Sequence, residues 1–165
     1  MKQRVICLLT LTLVVLAAAA QKSQDFAHKF VTLCKSDTTV RCITVSPKMM
    51  EQLAAHQTDA HPDEITEAIG KLKSARIVTA SACHYEKAEK LLKKNARRFK
   101  QQDNFQTSEG VRGAFYTRQD SQGQTVELIM LRQDDTRDRL TIVCLTGDID
   151  QEFLCFLYKN KSFKD

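Results

Sequence analysis

Val126-Glu127-Leu128-Ile129-Met130-Leu131 carries large apolar side chains on both of the alternating faces that an extended chain presents. Leu140 to Leu145 repeats the property with Leu140, Ile142, Val143 and Leu145. Such segments belong in the middle of a sheet, covered by helices on one side and by further packing or a partner on the other. Two more period-two segments, Phe99 to Thr107 and Val111 to Arg118, precede them. Turn-rich pieces such as Ser108-Glu109-Gly110 and Asp120-Ser121-Gln122-Gly123 separate the strands. Short turns between successive strands make an antiparallel meander.

Upstream, Thr39 to Val45 is rich in β-branched residues and reads as a first strand, and Ala75 to Ala80 as a second. Between them Ser46-Pro47 opens a helix carrying Met49, Met50 and Leu53 and ending near His56; His61-Pro62 opens another with Ile65, Ile69 and Leu72 on one face. A helical connection between two strands of one sheet implies a parallel, right-handed crossover, so Thr39 to Ala80 is expected to be a β-α-α-β unit. Tyr85 to about Asn95 follows as a helix with Tyr85, Ala88 and Leu92 inward. Ser23 precedes a stripe of Phe26, Phe30 and Leu33 that the body of the domain should cover, and Phe153, Phe156 and Leu157 sit on a short last helix. The expectation is an α+β fold: a mixed, mostly antiparallel sheet with helices packed on one face.

The first twenty residues have the order of a secretory signal peptide: Lys2 and Arg4, an apolar run from Val5 to Leu16, then Ala17 to Ala20. The run is shorter than the roughly 20 residues that a bilayer-spanning helix needs, and no later stretch is apolar enough to span. Gln21 and Lys22, not a lipid-acceptor cysteine, follow Ala20. These features predict a leader over 1–20, a single α+β domain over 21–165 with no transmembrane segment, and a periplasmic or secreted address. Loss of Lys2 and Arg4 lowers the formal charge from +5 to +3, too small an excess to point to nucleic acid. An oxidising compartment makes Cys34, Cys42, Cys83, Cys144 and Cys155 an odd set. Cys34 and Cys42 are close enough in sequence for a short loop to bridge them, while Cys42 and Cys144 lie in apolar strands as small buried hydrophobes.

Chemistry is sparse. The chain has no G-x-S-x-G, H-E-x-x-H or Walker-type loop, so no catalytic, cofactor or metal residue is assigned. His56, Asp59, His61 and Asp63 gather between two helices without the spacing of a zinc signature. Cys83-His84 would suggest a thiolate-imidazole pair, yet adjacent residues rarely face one another. Asp148 and Asp150 stand where a strand gives way to a helix and read as capping residues. Lys87, Lys90, Lys94 and Arg98 share a helix face, a basic patch suited to an anionic headgroup, a glycan or an acidic partner. Phe26, Phe30, Phe153 and Phe156 would either bury against the sheet or form an interface.

Four stretches carry a resemblance: Thr44-Val45-Ser46-Pro47-Lys48-Met49-Met50, Lys71-Leu72-Lys73-Ser74-Ala75-Arg76-Ile77-Val78-Thr79, Val126 to Leu131, and Leu145-Thr146-Gly147-Asp148-Ile149-Asp150. In this order they resemble domain-of-unknown-function family 4252 of the Bacteroidetes, from about Phe26 to Leu157. The resemblance implies a secreted or envelope-attached protein and supplies no functional residue. The reading that follows is a non-enzymatic binding domain for an envelope protein or peptide. The alternative is a carrier of a small apolar ligand such as a lipid, lined by Met49, Met50, Leu53 and Met130. A third reading, a thiol- or metal-dependent hydrolase, would use Cys83, His84 or His61.

Overall fold

The computed structural model describes residues 25–56, 67, 69–108 and 110–159. In chain order its elements are α1 (Phe26–Leu33), β1 (Arg41–Val45), α2 (Pro47–His56), β2 (Leu72–Ala80), a 3-10 turn (Ala82–His84), α3 (Tyr85–Lys94), β3 (Lys100–Gln106), β4 (Val111–Gln119), β5 (Thr125–Asp134), β6 (Arg139–Ile149) and α4 (Gln151–Lys159). The strands form one six-stranded sheet in the order β1-β2-β6-β5-β4-β3. The α+β class is as expected, and so is the meander, since β3, β4, β5 and β6 are successive antiparallel neighbours. The leader expected over 1–20 lies outside the described residues.

Two expectations about the sheet are corrected. First, the sheet is antiparallel throughout rather than mixed, because β1 and β2 pair antiparallel with Val45 opposite Ala75. The chain leaves the sheet after Val45 and re-enters near Leu72 at the same end. A connection that goes out and returns to the end it left reverses the next strand, whereas a parallel crossover must arrive at the opposite end. Second, helices cover both faces. Ile129, Leu131, Ile142 and Cys144 face α1 and α3, while Leu128, Met130 and Leu145 face the side holding Met50 of α2 and Leu154 of α4. Strands that are apolar on both faces demand cover on both, and among the described residues α1 and α3 cover one face and α2 and α4 the other, while most of the helix expected after His61-Pro62 lies outside the described residues.

The packing of α1 shows how this is achieved. Phe26 and Phe30 are fully buried, stacked at 6.2 Å, with Phe26 edge-on to Phe99 at 6.1 Å. Each buried ring contributes about 1.5–3 kcal/mol. Asp25 caps the helix by accepting the His28 amide at 2.9 Å, and the same carboxylate pairs with Arg76 of β2 at 2.8 Å. Glu127 of β5, 1 % exposed, accepts the Phe26 amide at 3.0 Å and Arg118 Nε at 2.8 Å. Arg118 stands directly opposite Glu127 across β4 and β5. Leu33 departs from its expected stripe and is 50 % exposed, since Cys34, the C-cap residue, takes the buried place beneath it.

At the other end of the sheet, Gly147 has φ +149, and a Cβ there would come within 2.5 Å of the Lys71 carbonyl. This close approach lets Asp148 donate its amide to that carbonyl at 3.1 Å. Asp150 then accepts the Phe153 amide at 2.8 Å and opens α4, as its capping assignment requires. Its carboxyl is held below the usual range by that amide and by Lys71 at 3.0 Å.

Candidate functional site: a polar groove beside helix α3

Between α3 and the β3–β4 edge lies a groove of about 390 Å³. Its wall on α3 is Tyr85, Glu86, Glu89 and Lys90, and its floor presents Gln101, Asn104 and Gln106 of β3 with Arg112 of β4. The register explains the gathering: Gln101, Asn104 and Gln106 pair with Tyr116, Ala114 and Arg112, so all six project to the face that α3 covers. A slip in the β3 pairing between Gln101 and Asp103 keeps them in phase.

Arg112 is fixed from two sides. Its guanidinium carbon sits 4.7 Å from the Tyr85 ring centroid, and its Nε donates to Gln133 Oε1 at 3.0 Å. Gln133 is itself buried and donates its amide to Asp135 Oδ1. With Nε engaged and the ring beneath, the two terminal nitrogens form a pre-set fork that matches a carboxylate or phosphate. Four residues further along β4, the Tyr116 hydroxyl is buried without a hydrogen-bond partner, and burial, followed by the charge of Glu89, pushes its pKa up to about 12. Primary amides, a guanidinium and the carboxylate of Glu89, which pairs with Lys93 at 2.8 Å, give the groove a strongly polar lining of hydrogen-bond donors and acceptors.

The residues singled out from sequence fall elsewhere. Phe26 and Phe30 take the buried alternative and offer no free contact surface; Phe153 is half-buried, and the Phe156 side chain lies outside the described residues. Lys87, Lys90 and Lys94 do share the outer face of α3, while Arg98 lies beyond its end with its guanidinium carbon 6.0 Å from the Phe99 ring. Cys83 and His84 engage different partners: Ser81 Oγ is 3.3 Å from Cys83 Sγ, and His84 Nε2 is 2.6 Å from Asp37 Oδ2. Asp59, His61 and Asp63, together with the side chains of His56 and Leu53, lie outside the described residues. Among the described residues, no group of three or more His, Cys, Asp or Glu converges as a metal would require. Met50 and Met130 join the core on the α2–α4 side, and Met49 is exposed. Cys34, Cys42, Cys83, Cys144 and Cys155 are all free thiols; Cys144 is buried as expected, but Cys42 is exposed because β1 is the edge strand.

Residues 35–154 match the family described as a domain of unknown function (DUF4252). The chain belongs to this family. The matched segment contains the whole six-stranded sheet with α2 and α3, so it holds every residue of the polar groove. The whole of α1 precedes the matched segment, and Glu127 and Arg76 dock that helix onto the family domain. Comparison with curated proteins finds no match. No helix among the described residues is long and apolar enough to cross a membrane.

Sequence reasoning missed Arg112, Gln133 and Glu127. Arg112 carries no signal beyond its place in an alternating strand. Glu127 had one, since a lone carboxylate inside Val126–Leu131 must find a cation or a helix N-terminus once that strand is central. It finds both.

Proposed function

We propose that the chain is a secreted, periplasmic, non-enzymatic binding domain of a Bacteroidetes-type envelope, and that its groove beside α3 receives a protein or peptide segment presenting a carboxylate. The observation that carries this reading is Arg112, locked between the Tyr85 ring and Gln133 with its fork directed by both. Charge alone would not single it out, because a mobile lysine offers the same charge. A guanidinium immobilised in advance has already lost the side-chain entropy that binding would cost, which is the condition for selective recognition. The leader-like residues 1–20 and the lack of catalytic motifs support an exported binding role. The alternative, a carrier of an apolar ligand lined by Met49, Met50, Leu53 and Met130, calls for a cavity on the α2–α4 side, where Met50 and Met130 pack into the core and Met49 is exposed.

The test compares full-length chain with Arg112→Lys and Arg112→Gln as baits for an envelope extract. The wild type should retain a component that Arg112→Lys holds about tenfold more weakly, since it keeps charge and loses the bidentate fork. Retention that is identical in all three proteins, or no retention at any salt concentration, would overturn the reading.

A further inference from the structure

Across α3 from the polar groove, a second groove of about 420 Å³ runs along the C-terminal end of α1. Leu33 and Leu91 supply its aliphatic surface, and Lys87, Lys90 and Lys94 stand along it with a single carboxylate, that of Glu86, so the lining carries a net positive charge. Leu33 is half-exposed at a helix position whose periodicity asks for burial, so its apolar surface is unused by the core. The lysines recur at i, i+3 and i+7 and therefore share one helix face. Glu86 lies 4.0 Å from Lys90, and Glu89 lies 2.8 Å from Lys93. Among the described residues, no ion pair occupies Lys87 or Lys94.

We propose that this groove binds a single-chain anionic amphiphile, its alkyl chain lying on Leu33 and Leu91 and its acidic head between the ammonium groups of Lys87 and Lys94. Charge complementarity selects the occupant. An uncharged chain would satisfy the leucines and leave the lysines unused, and an acidic peptide would satisfy the lysines and leave the leucines wet. The volume lies within the range of small-molecule sites, and lysine stems can line an apolar trough while their heads stay in water. This site is independent of the Arg112 fork, and the residues chosen to test it, Leu33, Lys87 and Lys94, do not line the polar groove.

Cys83 also lines this groove and is exposed, so its thiol reports occupancy. The experiment follows alkylation of the full chain by peptide mass, with dodecanoate, octanoate, dodecyl maltoside, a Glu-rich peptide or anionic vesicles added, the amphiphiles below micelle formation. Dodecanoate should slow alkylation of Cys83, leave Cys42 and Cys155 unchanged and raise Tm. Each methylene removed should weaken protection about fourfold where the chain is buried. Lys87→Glu and Lys94→Glu should each weaken it about fivefold, and Leu33→Ser, at an exposed position that the fold does not need, should also weaken it. Equal protection by dodecyl maltoside, equal affinity for octanoate, indifference to the lysine reversals, or a lowered Tm would overturn the proposal. Protection by the peptide or vesicles without protection by dodecanoate would also overturn it, reassigning the face to an acidic protein or a membrane surface.

Discussion

Glu127 ties α1 to the centre of the sheet inside the domain. It is a buried carboxylate whose charge is balanced by Arg118 and by the first amide of α1. Glu127→Ala should destabilise the fold by about 3 kcal/mol, because the half-buried Arg118 and the Phe26 amide lose their acceptor together; Glu127→Gln, which keeps an acceptor oxygen, should cost less. Urea unfolding of the two variants tests the order. Asp37 offers a pH test. The Thr39 hydroxyl, then His84, lowers its pKa to about 2. A depressed acid contributes its stabilisation fully above the ordinary carboxylate range and loses it as the pH falls towards the folded value. NMR titration of the Asp37 carboxyl should therefore show a midpoint near 2, and Thr39→Val should raise it. Neither role was legible in sequence, since each depends on a partner more than eight residues away or on a hydroxyl that any loop could carry. Asp150 was legible as a cap because its partner amide lies three residues ahead.

At the scale of elements, the two edges of the sheet are unlike. β3 carries Lys100 and Asp103 with an irregularity in its pairing, features that blunt an edge against further strands. β1 pairs regularly with β2, its only charged residue is Arg41, and Ile43 is 61 % exposed. Ile43→Lys should leave stability within about 0.5 kcal/mol and reduce self-association at high concentration, measured by light scattering. Gly147→Ala belongs to the junction between β6 and α4. Its Cβ would meet the Lys71 carbonyl at 2.5 Å in a backbone conformation that L side chains rarely adopt, so a loss of about 1–3 kcal/mol is expected on thermal unfolding. The strands of the meander and α3 were readable because period two and period 3.6 are written in local sequence. The direction of β2 was not, because it depends on which end of the sheet the long connection regains.

For the molecule as a whole, the distribution of thiols gives a compact check. Cys42, Cys83 and Cys155 are exposed and Cys34 and Cys144 are buried, so the first three should react in the native state and the other two only on unfolding. Burial also raises the Cys144 pKa well above the ordinary thiol value, which slows its reaction further. Local sequence determined the α+β class, the four-strand meander, the central place of β5 and β6, and the basic face of α3, because each follows from spacing within one segment. Tertiary structure alone decided that helices cover both faces, that Phe26 and Phe30 are core while Leu33 is surface, and that Arg112 meets Tyr85 and Gln133. Those outcomes arise from contacts between residues tens of positions apart, and side-chain periodicity specifies which face a residue occupies without specifying what will lie against it.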